Sequence, residues 1–219
     1  MKFLLSGIKK QALGDYPGLA SITILLGGCS LNCKNCDYAD FEEVEFEEIK
    51  SLLEKEEAES IFISGCEPLF NKDECDALAR LAKKNNMKIG ISTRGLAVEN
   101  LKDLVENGLI DFIRLEICAP LDHEKYSKKI NISAKMLENI KASIGFVRAS
   151  GINYEFYTRL DNELPSGYIK EIYKQISPAK MYVLDIHDLD RNQIPKFMDF
   201  ANDKANVMLR FWYNSWRDL

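Results

Sequence analysis

"ASITILLGGCSLNCKNCDYAD", residues 20–40, holds an apolar, partly β-branched run, two glycines and then three cysteines within eight residues. The run over 20–28 predicts a buried strand, and the polar segment after it predicts a loop. Cys29, Cys33 and Cys36 therefore sit where a strand ends, at the spacing C-x3-C-x2-C. Three is an odd number for disulfides. It is also odd for a zinc site, which takes four ligands, usually as two separated pairs. A tight triplet suits a [4Fe–4S] cluster better. Each thiolate binds one corner iron, and the fourth iron is left open to a chelating small molecule. Six cysteines placed at random in 219 residues would give this spacing roughly 0.005 times per chain. A zinc site completed by His187 or Cys66 is the alternative reading.

Beyond the cysteines, apolar runs alternate with amphipathic stretches. Strands are expected over 20–28, 60–65, 88–93, 111–118, 153–160 and 180–187. Helices are expected over 46–58, 72–86, 98–108, 133–150 and 166–176. The helix at 46–58 places Phe46, Ile49, Leu52 and Leu53 on one face, and that at 133–150 places Leu137, Ile140, Ile144 and Val147 on one face. Strands alternating with helices imply a parallel sheet covered by helices. Roughly six βα units suit a partial barrel or a doubly wound sheet, in one domain spanning 1–219. In either architecture chemistry collects at the C-terminal ends of the strands. There the sequence places the cysteine loop, Ser64-Gly65-Cys66-Glu67-Pro68, Ser92-Thr93-Arg94-Gly95 and Cys118-Ala119-Pro120.

Composition excludes several classes. Net charge is -5, which gives no electrostatic case for nucleic acid or an anionic membrane. No apolar run approaches the roughly 18–20 residues of a membrane span. The opening "MKFLLSG" has a three-residue apolar patch, too short for a signal peptide, so a cytoplasmic location is expected. Six cysteines in that compartment favour metal or redox chemistry over structural disulfides. The Glu-rich stretch 42–59 reads as a solvated helix face.

The cysteine triplet after the first strand, with Ser64-Gly65-Cys66-Glu67-Pro68 after the second, resembles the radical S-adenosylmethionine (SAM) superfamily. The second element is similar to that superfamily's Gly-Gly-Glu-Pro motif. The resemblance implies a partial (βα)6 TIM-like barrel, with Cys29, Cys33 and Cys36 holding the cluster. SAM would chelate the open iron through its amino and carboxylate groups. Reductive cleavage would then release a 5′-deoxyadenosyl radical that abstracts a hydrogen atom. The cofactor supplies that chemistry, and the protein supplies orientation and exclusion of water. Asp15-Tyr16-Pro17-Gly18, Ala119-Pro120-Leu121, Lys125-Tyr126 and Tyr154-Glu155-Phe156 further resemble anaerobic ribonucleotide reductase and pyruvate formate-lyase activating enzymes. That branch implies a glycyl radical enzyme as partner, such as anaerobic ribonucleoside-triphosphate reductase, and a flavodoxin- or ferredoxin-type reductant.

The chain departs from the pattern at Asn35, where an aromatic residue is usual, and at Cys66, where the motif has its second glycine. Glu116-Ile117-Cys118 stands in place of Asp-x-Lys, and Ser92-Thr93-Arg94-Gly95 in place of Asp-Thr-Asn-Gly. Arg94 can replace the lost positive charge, because a guanidinium pairs with a carboxylate bidentately. The SAM contacts are accordingly expected at Gly65, Cys66, Glu67, Pro68, Thr93, Arg94 and Glu116. Glu67 would either meet SAM's amino group or orient its own loop. Cys75 and Cys118 read as packing residues. Arg159 would reach the site or the surface, and the aromatic segment from Phe211 to Trp216 would touch a partner or cap the sheet. No second cysteine cluster follows residue 118, so no auxiliary cluster is expected. Two other functions stay open: a radical SAM enzyme acting on a small molecule, and a divergent non-catalytic iron–sulfur or zinc protein.

Overall fold

In the computed structural model, which describes residues 1–31, 33, 36, 38–186 and 189–211, strands and helices alternate along one nine-stranded sheet. The strands are β1 (Lys2–Leu13), β2 (Ala20–Leu26), β3 (Glu42–Glu45), β4 (Ser60–Gly65), β5 (Lys88–Thr93), β6 (Phe112–Glu116), β7 (Asn153–Leu160), β8 (Tyr182–Ile186) and β9 (Val207–Phe211). The helices are α1 (Phe46–Lys55), α2 (Lys72–Lys84), α3 (Val98–Glu106), α4 (His123–Ser127), α5 (Ala134–Ala149), α6 (Ser166–Ile176) and α7 (Ile194–Asn202). The sheet order is β3-β1-β2-β4-β5-β6-β7-β8-β9. From β2 to β9 every pair is parallel, which gives seven parallel strands. The arrangement is a partial TIM-like barrel.

The six expected strands are β2 and β4 to β8, and the five expected helices are α1, α2, α3, α5 and α6. The six βα units are present, and further strands extend the sheet at both ends. β1 pairs antiparallel with β2 and β3. Only Phe3 and Leu5 of this strand are buried; Leu4 and Ile8 are partly exposed and Leu13 is exposed, so its apolar residues show no strict period of two. β9 adds a seventh parallel strand beside β8. What draws it in is ionic: Arg210 Nε and Nη2 donate to Asp185 of β8 at 2.6 and 2.9 Å, and Nη1 donates to Glu155 of β7 at 2.6 Å.

Each parallel strand shows two different faces, as the period of two requires. Ile22, Ile24, Ile61, Ile63, Ile89, Ile91, Ile113, Leu115, Phe156 and Leu184 point to the helices and form one core with Ile49, Leu78, Leu101, Ile140 and Ile172. The whole expected face of α5, Leu137, Ile140, Ile144 and Val147, is buried in it. In α1, Ile49 and Leu53 are buried while Phe46 stacks on Phe3 at 5.4 Å. The opposite, inward face is polar. Arg114 of β6 donates to Glu155 Oε1 at 2.6 Å and crosses to the β1–β2 turn, donating to Gly14 O at 2.8 Å. Its guanidinium also lies 3.7 Å from Asp15 and covers the Phe62 ring. Arg114, Glu155, Arg210 and Asp185 thus form a charge-paired floor to the lumen. Such a floor fixes geometry more than it adds stability, because desolvation offsets most of the Coulomb gain.

Candidate active site at the strand ends

The cysteine loop leaves the sheet at a tight place. Gly27 N–H donates to Leu4 O at 2.8 Å. Gly28 adopts φ +74°, and a Cβ there would lie 2.7 Å from Leu4 Cδ1, so a glycine lets the chain turn over β1. Cys29 and Cys33 pack partly buried against the apolar core, and Cys36 is half-buried. Burial raises the Cys33 thiol pKa. Arg94 opposes that shift, while Cys29, Cys36 and Glu116 add to it. Among the described residues no three His, Cys, Asp or Glu side chains form a ready-made site for a metal ion. The donor set, three soft thiols on one loop with two of them shielded by the core, fits an iron–sulfur cluster.

The loop after β4 is built around the adjacent strand. β2 and β4 run in register with Leu26 opposite Gly65. Gly65 has φ +114°, and a Cβ there would meet Leu26 O at 2.1 Å. Cys66 follows, 6% exposed, its N–H donating to Leu26 O at 3.0 Å. Its thiol pKa is pushed up to about 11, first by burial and then by the neighbouring Cys29, against the pull of the Glu67 amide. Glu67 is fully buried. Its Oε1 accepts from the Thr93 hydroxyl and, at 3.3 Å, from Leu69 N–H; its Oε2 accepts from Arg94 N–H at 2.8 Å. Burial raises the Glu67 pKa despite those bonds. Of its two expected roles, the contacts are those of loop orientation: Glu67 ties the β4 end to the β5 end. Pro68 is buried and opens a short 3-10 turn, Pro68–Phe70.

Arg94 leans across the rim. Its Nη1 donates to Cys66 O at 3.2 Å, and its Nε lies 2.9 Å from Glu116 Oε2. The Nε–H is not aimed at that oxygen, so this pair is electrostatic and Nε lacks a hydrogen-bond partner. Gly65, Cys66, Thr93, Arg94 and Glu116 line a single cavity above the ionic floor. Glu67 and Pro68 are not among its lining residues. Sequence reasoning placed Ser92 on the rim without a role and missed Tyr157, whose hydroxyl meets that of Ser92 at 3.3 Å in that cavity, as well as Arg114 and Asp185. Glu155, Tyr157 and Arg159 alternate along β7 with Tyr154, Phe156 and Thr158, and that period was the available signal. Arg159 reaches the cavity. Cys118 is pushed up to about 12, chiefly by burial and then by Glu116, and Cys75 donates to Pro68 O at 3.2 Å; both behave as packing thiols. Asn35, His187 and residues 212–219 lie outside the described residues.

Comparison with known proteins agrees with this arrangement. The family model of the radical SAM superfamily matches residues 23–163, from within β2 to beyond β7. A protein of Methanocaldococcus jannaschii, provisionally named a glycyl-radical enzyme activating enzyme, is 28% identical over 208 residues, covering 89% of this chain and 87% of that one. Among solved structures, QueE from Escherichia coli superposes with a TM-score of 0.61 at 12% identity, over 98% of this chain and 95% of the other. Native anSMEcpe with bound AdoMet and a peptide superposes with a TM-score of 0.62 at 15% identity, over 83% of this chain and 60% of the other. At these identities the two structures speak for the fold. Among the described residues no helix is long and apolar enough to cross a membrane.

Proposed function

The chain belongs to the radical SAM superfamily, whose members use a [4Fe–4S] cluster and SAM, and from that membership we propose that it generates a glycyl radical on a partner enzyme. Cys29, Cys33 and Cys36 hold the cluster in this reading. When bound, the cluster and SAM supply the one-electron chemistry that removes a hydrogen atom from the substrate. The protein's own residues do the positioning. Gly65 brings the β4 loop against the β2 end, and Glu67 locks that loop to Thr93 and Arg94. Arg94, paired with Glu116 at the rim, would offer its charge to the carboxylate of SAM. The observation that carries the reading is the radical SAM family match over residues 23–163, beside a cavity at the strand ends lined by Gly65, Cys66, Arg94 and Glu116.

The expected consequence for SAM is specific. Arg94→Ala removes one charge-assisted contact, a loss of roughly 1.5–3 kcal/mol, so the SAM dissociation constant rises by one to two orders of magnitude. Calorimetry on the reconstituted protein checks this, and unchanged affinity removes Arg94 from the site.

Two observations support a polypeptide substrate. The relative named for glycyl-radical activation matches along nearly the whole of both chains, and a structure with the same fold holds AdoMet together with a peptide. A flavodoxin- or ferredoxin-type protein would supply the electron. The test is electron paramagnetic resonance on a glycyl radical enzyme from the same organism. The reduced, SAM-loaded protein should raise a glycyl doublet on it, and a partner with its radical-site glycine changed to Ala should show none. SAM cleavage without a doublet on any co-encoded glycyl radical enzyme favours the second reading, a small polar substrate. The charged lining of the cavity, with Lys9, Asp15, Arg159 and Asp185, is the observation on that side.

A further inference from the structure

The loop after β5, Thr93-Arg94-Gly95-Leu96, carries Arg94, the residue read above as the partner of the SAM carboxylate, and a helix holds that loop by its backbone. Asn139 and Ser143 stand four residues apart on α5, so both side chains reach the same side of the helix. Ser143 Oγ donates to Gly95 O at 2.8 Å, and Asn139 Nδ2 donates to Leu96 O at 2.8 Å. Ser143 is fully buried beside Ile140, Ile144 and Val147 of the helix's apolar face. A buried helix serine can satisfy its hydroxyl on the carbonyl one turn back. Ser143 instead reaches across to another element. The fit is close: Gly95 has φ +73°, and a Cβ there would lie 2.8 Å from Ser143 Cβ and 3.0 Å from Leu115 Cδ1, so a glycine lets the loop rest on α5. From the β4 side, Glu67 accepts from the Thr93 hydroxyl and from Arg94 N–H, and Gly95 N–H donates to Thr93 Oγ1 at 2.9 Å. The Arg94 backbone is thus fixed between β4 and α5, while its buried Nε has no hydrogen-bond partner.

We propose that Asn139 and Ser143 are positioning residues: from the helix layer they set the backbone from which Arg94 extends to the cavity, and so decide how well its guanidinium meets the carboxylate of SAM. The inference rests on the reading of Arg94 given above. An arginine on a loose loop has to be ordered when its ligand binds, and that ordering subtracts from affinity. Here the ordering is completed on folding, because α5 is itself anchored to the core by Leu137, Ile140, Ile144 and Val147. Neither Asn139 nor Ser143 is among the described residues that line the cavity, so each acts through the loop and not on SAM. Packing alone favours an apolar side chain at position 143, since a buried hydroxyl is costly unless it is bonded. The bond it makes is directed at the residue next to Arg94.

The experiment uses the full chain, reconstituted anaerobically, as wild type, Ser143→Ala, Asn139→Leu, Arg94→Ala, and each α5 substitution combined with Arg94→Ala. SAM affinity is measured by calorimetry. Ser143→Ala leaves Gly95 O unpaired and Asn139→Leu leaves Leu96 O unpaired, so each should raise the SAM dissociation constant about two- to tenfold. In the Arg94→Ala background neither should add a further loss, because the contact they position is already gone. A merely structural role would weaken binding by the same factor in both backgrounds. Hydrogen exchange on the apo chain gives a second readout: the Arg94 amide, bonded to Glu67, should exchange faster in Ser143→Ala than in wild type. Wild-type SAM affinity in both Ser143→Ala and Asn139→Leu overturns the proposal, as does an equal loss with and without Arg94, or an Arg94 amide that exchanges at the wild-type rate. Should Ser143→Ala fail to fold, Asn139→Leu carries the same cycle and the same exchange measurement. Unchanged affinity in Arg94→Ala itself overturns the earlier reading of Arg94, so the two failures are told apart by which single variant is silent.

Discussion

Cys29→Ala, Cys33→Ala and Cys36→Ala should each abolish SAM cleavage, a loss of at least about three orders of magnitude, equivalent to roughly 4 kcal/mol or more of barrier. The three thiols have separate tasks on one loop, so no one of them substitutes for another. Removing a corner thiolate leaves that iron without a protein ligand, and the open fourth iron loses its distinct status. The nearest replacements are poorly suited. Cys75 is fully buried and donates to Pro68 O, Cys118 is partly buried against the core, and Cys66 is 6% exposed. Wild type should reconstitute to near four irons and four sulfides, with a visible absorbance that bleaches on reduction, and each variant should fall short of that content. An Ala variant that retains a full cluster and cleaves SAM overturns the ligand assignment. Stoichiometric, tightly held zinc in the wild type, with no reconstitutable cluster, overturns the cluster reading.

Gly65→Ala should cost about 2–6 kcal/mol of folding stability and empty the site of its order. Two penalties add. A non-glycine residue at φ +114° is strained by on the order of 1–3 kcal/mol. The new methyl would also stand 2.1 Å from Leu26 O and 2.6 Å from Leu26 N, both backbone atoms that cannot rotate aside. Relief requires β2 and β4 to separate where the Cys66 N–H to Leu26 O bond closes the pairing, and overpacking of this kind costs about 1–3 kcal/mol more. Urea denaturation of the apo protein checks this. The midpoint of Gly65→Ala should fall sharply, while Cys66→Ala, one residue on, should change it far less because a Cβ is already accommodated there. Equal midpoints for Gly65→Ala and wild type would show that the β2–β4 junction relaxes freely.

Patterning along the chain determined much of this protein. Strands at 60–65, 88–93 and 153–160 and the helix at 166–176 have the bounds that their apolar periods and turn residues predict. Alternation of strand and helix was enough to imply a parallel sheet, and a parallel sheet is enough to gather its strand ends on one rim. The cysteine spacing, together with its position after a strand, named the chemistry. These features are local: a period, a glycine stop or a three-thiol loop is complete within a dozen residues.

What only the tertiary structure decided depends on groups that are distant in sequence. β1 has no regular apolar alternation to announce it and is held by its ladders with β2 and β3. β9 is placed by Arg210 finding Asp185 and Glu155, 25 and 55 residues away. Glu67 could have faced SAM or its own loop by sequence, and burial with three donors from Leu69, Thr93 and Arg94 gave it the second position. Arg94, expected to replace a lost positive charge, is paired with Glu116 and tied to Cys66 O. The ionic floor under the cavity joins residues from Asp15 to Arg210. A charge's partner is chosen by geometry and desolvation in three dimensions, and neither has a period that a sequence displays.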